Sequence, residues 1–268
     1  MSGAVIYVLI LSATFSFCEP LCQECEFMDS FGSAAWSSVG KKVITGLTGF
    51  FLIGFVVVHL IGNLTLFIGP HAFNDYAHFL ETALHGWLIY AFEIGLFLIF
   101  IFHIVAAVTV AWTDKRKARQ QGYKYSRDAG GKSRKSWASR TMIYSGTILL
   151  VFVIGHIYLF KFGHHEVDSL GVKNLYKTVV TVFKGVGFTV FTVVAMTLLG
   201  FHLRHGFWSA FQSLGWTNDR YLPLLVRAAL VVAVLLGIGF VVIPVYLHLF
   251  GDPDLVQTVI QTTTPGGH

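Results

Sequence analysis

Charge is what this chain has least of. Asp, Glu, Lys and Arg make up only 12% of its 268 residues, against 54% that are hydrophobic. A soluble domain of this size needs far more polar surface to stay dispersed, so lipid is the expected solvent. Strict alternation of polar and apolar residues is also lacking, and the apolar runs are too long for barrel strands, which excludes a membrane β-barrel. Cysteine occurs three times, as Cys18, Cys22 and Cys25, at spacings that fit neither an iron–sulfur nor a zinc pattern. The short apolar run at 4–17 has no positively charged segment before it, so a cleaved signal peptide is not expected, and Met28 offers a second start. There is no internal repeat or low-complexity array.

What the chain does have is apolar residues in long blocks. A helix needs about 20 mainly apolar residues to cross the hydrocarbon layer. Five stretches qualify: 43–68, 88–112, 141–161, 185–209 and 224–249. Helices are the expected form because unpaired backbone groups cannot face lipid. The fold class is therefore all-α, an integral membrane bundle of five transmembrane helices. Residues 1–35 form an N-terminal extension of uncertain role, 36–250 the transmembrane domain, and 251–268 a C-terminal tail.

The basic residues orient this bundle. The connection between spans two and three carries Lys115, Arg116, Lys117, Arg119, Lys124, Arg127, Lys132, Arg134, Lys135 and Arg140, whereas 69–87 has no Lys or Arg. The polar stretch 113–139, with Gly130-Gly131 at its centre, is too charged to enter lipid. By the positive-inside rule this loop and the N-terminal side of span one (Lys41, Lys42) are cytoplasmic, and the C-terminus is outside. Lys161, Lys173 and Lys177, between spans three and four, are a mild exception. The net charge of +5 is thus mostly topological, and without a binding module it does not point to nucleic acid. The basic loop can meet anionic headgroups or a soluble partner.

Ionisable side chains at membrane depth are rare and are functional by default. The first four spans each hold a histidine well inside: His59, His103, His156 and His202. With a rise of ~1.5 Å per residue, His59 lies ~24 Å along span one and His156 ~22 Å along span three from the cytoplasmic ends. His103 and His202, on spans running the other way, lie only ~14 Å and ~11 Å from that side. The four therefore form two pairs at two depths, one in each leaflet. Facing neutral imidazoles are what bis-histidine haem ligation requires, and two stacked haems make an electron wire. Zinc fits less well, since neither pair is joined by Cys or Asp, and a proton relay would need a more continuous polar ladder. Gly46, Gly49, Gly54, Gly62, Gly155, Gly200 and Gly206 allow both close helix packing and room for a porphyrin. His205 could compete with His202 as a ligand, and Arg204 is a candidate partner for a haem propionate or an ordinary inner-surface arginine. His248, His164, His165 and His268 are expected at interfaces or in solvent.

The stretch 69–85 begins with Gly-Pro, which ends span one, and then shows a helical apolar stripe of Phe73, Tyr76, Ala77, Leu80 and Leu84. It reads as a short amphipathic helix at the outer interface. If helical throughout, it carries His71, His78 and His85 on one face, with Glu81 between the last two. That face is either simply solvated or a carboxylate with nearby imidazoles able to move protons beside the outer pair. Glu93 is a second carboxylate candidate at similar depth.

These residues resemble a known family, the single-chain, di-haem cytochrome b membrane anchor of succinate dehydrogenases and fumarate reductases. The resemblance covers about residues 36–250. It is carried by Ser38-Val39-Gly40-Lys41-Lys42-Val43-Ile44-Thr45-Gly46-Leu47-Thr48-Gly49, by Val58-His59-Leu60-Ile61-Gly62-Asn63-Leu64, and by Phe201-His202 with Gly206-Phe207-Trp208-Ser209 and Trp216. The resemblance implies His59 with His156 as ligands of the outer, distal haem b and His103 with His202 as ligands of the inner, proximal one. It selects His202 over His205, and it puts Glu81 where some members carry a glutamate implicated in menaquinol oxidation. It also implies flavoprotein and iron–sulfur partner subunits on the cytoplasmic face, electrons passing from succinate to a quinone (menaquinone is favoured), and the cell inner membrane as location. In certain fumarate reductases a glutamate two residues before the fourth-span ligand serves a proton path. Here that position is Gly200, which favours succinate oxidation. Whether the complex forms a higher oligomer is open. The residues alone also admit a haem b subunit of a hydrogenase or formate dehydrogenase, and a non-redox transporter with structural histidines.

Overall fold

The computed structural model describes residues 33–114, 141–163, 165–167 and 173–255. The cysteine segment, the basic residues of 115–140, His164 and His268 lie outside them. The chain is built from helices: α1 (Ser38–Asn63), α2 (Pro70–Thr82), α3 (Trp87–Val108), α4 (Met142–Phe160), α5 (Leu175–Lys184), α6 (Val186–Ser213) and α7 (Leu222–Phe250). Among the described residues there is no strand, only an isolated bridge between Val167 and Lys173. Five helical stretches, containing α1, α3, α4, α6 and α7, are long and apolar enough to cross a membrane, as the five expected spans require. The chain is a multi-pass membrane protein.

Local chemistry sets the helix ends. The Ser37 hydroxyl accepts a hydrogen bond from the Gly40 amide at 3.0 Å and so caps α1. At its other end α1 tightens into a 3-10 turn, Leu64–Phe67. The chain then reverses at Gly69, whose φ of 136° suits only glycine, and Pro70 opens α2. The amphipathic helix α2 stops at Thr82. Leu84 and His85 follow in left-handed conformation, with φ of 51° and 56°, before Gly86 at 84°. Each non-glycine residue held this way costs about 1–2 kcal/mol. His85 therefore leaves the helical face that His71 and His78 share.

The segment carrying Lys173 and Lys177, read above as a plain connection, contains a second interfacial helix. The Asn174 side chain caps α5 through the Lys177 amide, and Tyr176, Val179, Val180 and Phe183 form its buried stripe. This i, i+3, i+4, i+7 spacing was visible in the sequence, but the run is too short to register beside membrane-length blocks.

In the bundle α6 packs against α1, α4 and α7, and α1 against α3. The α6–α7 crossing is close because glycines meet there: a Cβ on Gly237 would stand 3.4 Å from the Gly200 Cα, and one on Gly200 would stand 3.3 Å from the Ala233 carbonyl. The largest buried cluster sits at the end where α2 and α5 lie, joining Leu66, Phe73, Val180, Phe183, Ile243 and Leu247. Elsewhere the spans turn their apolar side chains outward. Even in α7 only 33% of the most apolar window is buried, the inverse of a water-soluble fold.

Candidate functional site: two histidine pairs and an outer cap

His59 of α1 and His156 of α4 come together with ring centres 5.8 Å apart and planes at 83°. Four phenylalanines frame them. Phe55 and Phe240 stack on His59, at 5.3 and 5.9 Å, while Phe152 and Phe160 lie 5.5 and 4.9 Å from His156. Imidazole bonds a zinc-sized metal ion at about 2.0–2.1 Å. A metal bound to both rings, with the ring radius added, would allow ring centres up to roughly 6 Å apart. The observed separation fits a single metal held between the two rings.

The second pair is organised differently. His103 Nδ1 lies 3.2 Å from the Thr48 hydroxyl of α1, and His202 Nδ1 lies 3.1 Å from the Ser145 hydroxyl of α4. Beside each hydroxyl is a glycine. A Cβ on Gly49 would stand 3.4 Å from His103 Cε1, and one on Gly146 would stand 3.5 Å from His202 Cε1, so each ring rests directly on the neighbouring helix. Each hydroxyl spends its own proton on a helix carbonyl, Thr48 on Ile44 at 2.6 Å and Ser145 on Met142 at 3.1 Å. In that arrangement it is an acceptor towards the ring, which matches the tautomer with its proton on Nδ1 and its Nε2 lone pair open to a metal. The donor set, neutral imidazoles in twos, suits haem iron. Among the described residues no group of three or more His, Cys, Asp and Glu comes together as a closed structural zinc site would need.

Sequence reading identified the four histidines but not Thr48 and Ser145. Their signal was present: each begins a hydroxyl–glycine pair eleven residues before a histidine, Thr48-Gly49 before His59 and Ser145-Gly146 before His156. Eleven residues make about three turns, so hydroxyl and histidine share a helix face at two levels ~16 Å apart. His205 is directed elsewhere: its ring meets Trp208 edge-on at 5.2 Å, and its buried Nδ1 has no hydrogen-bond partner among the described residues. Arg204 is exposed. Standing two residues from His202, it projects roughly 200° around α6 from that side chain, away from the pair.

Over the first pair sits a cap made by α2 and α5. Tyr76 lies on Gly62, one turn beyond His59, so closely that a Cβ there would stand 2.6 Å from its ring. The Asn74 amide donates to the Asn174 side-chain carbonyl at 3.1 Å and accepts from the Tyr176 amide at 2.9 Å, clasping α2 to α5. Phe160, against His156, also meets Phe183 of α5 at 5.7 Å. Glu81 is half exposed at the end of α2, and Lys173 reaches it at 3.0 Å. Glu93 pairs with Lys161, while Lys177 bridges Glu166 at 2.8 Å and Asp254 at 3.4 Å. His71, His78 and His85 are exposed on this same end.

No family model and no solved structure matches the chain. Over 158 residues it is 27% identical to the succinate dehydrogenase cytochrome b558 subunit of Bacillus subtilis (strain 168), a stretch covering 58% of this chain and 69% of that protein. The resemblance read from the span-one and span-four signatures and the similarity to this relative thus point to one family, the cytochrome b subunits of succinate dehydrogenase.

Proposed function

We propose that the chain is the membrane-anchor cytochrome b subunit of a succinate dehydrogenase of the cell inner membrane. In this reading it holds two b haems, by which electrons from succinate reach a quinone, menaquinone in our assignment. The observation that carries the reading is the meeting of His59 and His156 with ring centres 5.8 Å apart, with His103 and His202 lying about three turns away against Thr48 and Ser145 of the same two helices. The similarity to the Bacillus relative supports the choice of oxidoreductase.

His59 and His156 hold the outer group, and His103 and His202 the inner one. A b haem when bound supplies reversible one-electron chemistry at iron. The protein's contribution is to fix the four imidazoles and to frame the outer two, His59 and His156, with Phe55, Phe152, Phe160 and Phe240. Glu81, at the water-facing edge of the cap, carries protons between the outer aqueous phase and a quinone bound beneath α2. The flavoprotein and iron–sulfur subunits dock at the opposite end, on the face carrying the basic loop 113–140.

The test is a reduced-minus-oxidised spectrum of the purified complex, together with its haem-to-protein ratio. Two b-type haems per chain and co-purification with a flavoprotein that oxidises succinate are expected. Absence of a b-type α-band would overturn the proposal, and a hydrogenase or formate dehydrogenase as the co-purifying partner would reassign it.

A further inference from the structure

Building on the haem reading above, we infer that Thr48 and Ser145 are positioning residues for the inner haem: they fix the tautomer and ring orientation of His103 and His202 and lower the potential of that haem alone.

The argument begins with proton accounting. An imidazole that binds iron through Nε2 carries its proton on Nδ1, and inside a membrane that N–H needs an acceptor. The hydroxyls of Thr48 and Ser145 stand 3.2 and 3.1 Å from the two Nδ1 atoms. Both have helix carbonyls to which to give their protons, Ile44 and Thr45 for Thr48 and Met142 for Ser145. In that arrangement they accept from the ring, which goes with the tautomer that ligation requires. Ser145 is only 3% exposed, so water does not stand in for its oxygen.

The arrangement occurs twice, on two helices, with the same pattern of a hydroxyl residue followed by glycine. On α1, Thr48-Gly49 faces His103 of α3, and on α4, Ser145-Gly146 faces His202 of α6. The glycine lets the ring lie against the helix, and the hydroxyl before it meets the ring nitrogen. Each of α1 and α4 thus supplies a ligand at one level and an orienting hydroxyl at the other. The first pair has no such device: rings of phenylalanine surround His59 and His156, and among the described residues neither imidazole has a hydrogen-bonding side chain.

A hydrogen bond from Nδ1–H raises the basicity of a ligating histidine. The more basic ligand favours ferric over ferrous iron and moves the couple to a more negative potential, one of the protein's established controls on haem. Without the hydroxyl, the ring is both a weaker donor and freer to rotate.

The experiment is a redox titration of the α-band, with low-temperature EPR of the ferric haems, on the whole complex carrying Thr48→Ala or Ser145→Ala. The variant His59→Ala, which removes the outer ligand, identifies which spectral component is the inner haem. The expected result is a shift of the inner component to a more positive midpoint and a change in its ferric signal, with the outer component unmoved and both haems at the unsubstituted ratio. Thr48→Ser, which keeps the oxygen, returns the midpoint. An unchanged inner midpoint and EPR signal in both alanine variants, with both haems bound, would overturn the inference and leave the haem reading standing. A shift of the outer component instead would overturn it equally. Failure to find two b-type components in the unsubstituted complex would overturn the haem reading itself.

Discussion

At the scale of single residues, chemistry inside this bundle depends on groups that lipid cannot satisfy. An imidazole without a partner in hydrocarbon is costly, so each of the four histidines is held by a specific neighbour: aromatic rings for His59 and His156, hydroxyls for His103 and His202. Replacing His156 by alanine is expected to remove the outer haem and leave the inner one, and His202→Ala the reverse, both read from the haem-to-protein ratio and the two-component redox titration. Loss of both haems from a protein that still folds would rule out separate pairs. Glu81 is tied to Lys173 at 3.0 Å, with both side chains half exposed. Such a pair adds little to stability, about 0–1 kcal/mol, so its value lies in where it holds the carboxylate. Glu81→Gln is expected to slow quinone turnover at least about tenfold, a modest share of what a placed acid–base group contributes. The haem spectrum stays intact. Lys173→Met has a smaller effect on turnover, and none in the Glu81→Gln background, because it acts through the carboxylate.

At the scale of elements, two contacts decide how the site is closed. The first is the α6–α7 crossing, where Gly200 and Gly237 leave room for at most a tightly held methyl group. A leucine at 200 overpacks this contact at a cost of about 1–3 kcal/mol, measurable as a lower temperature of haem loss in detergent. A glutamate there would have to displace α7, which gives a packing reason for the missing carboxylate beside that already drawn from resemblance. The second contact is the Asn74–Asn174 clasp between α2 and α5. Asn74→Ala strands the Tyr176 amide in a partly buried place, and about 1–3 kcal/mol of cap stability is expected to go with it. Faster proteolysis in the cap, with the transmembrane spans untouched, is the signature.

At the scale of the whole molecule, the lysines that offend the positive-inside pattern are accounted for by acids. Lys161 has Glu93, Lys173 has Glu81, and Lys177 has Glu166 and Asp254. Hydrogen bonding to Glu166, reinforced by Asp254, raises the Lys177 ammonium above the ordinary lysine range. That tie is therefore present through neutral pH and lost only as pH rises past the raised value. Neutralised pairs weigh little in a positive-inside count against the ten basic residues that the sequence holds in 115–140. A single cysteine placed within 115–140 is expected to react with an impermeant thiol reagent only from the cytoplasmic side, and one at Asp75 only from outside; the reverse pattern would invert the topology.

Composition and periodicity by themselves determined the solvent, the five spans and the two depths of the histidines, because length of apolar run and rise per residue are properties of one helix at a time. They also marked α2, up to the point where Leu84 and His85 break it. What only the tertiary structure decided is every relation between helices: that His59 faces His156 across 5.8 Å, that hydroxyls of α1 and α4 meet the rings of α3 and α6, and that Lys173, 92 residues away in sequence, reaches Glu81. The physical reason is rotation. A one-residue turn of a span about its axis moves a side chain by about 100° without changing its depth or its hydropathy. Facing is settled only when Gly49, Gly146, Gly200 and Gly237 let particular helices come close. The short α5 shows the same limit, since its stripe of Tyr176, Val179, Val180 and Phe183 becomes a helix face only once Phe73, Ile243 and Leu247 are there to cover it.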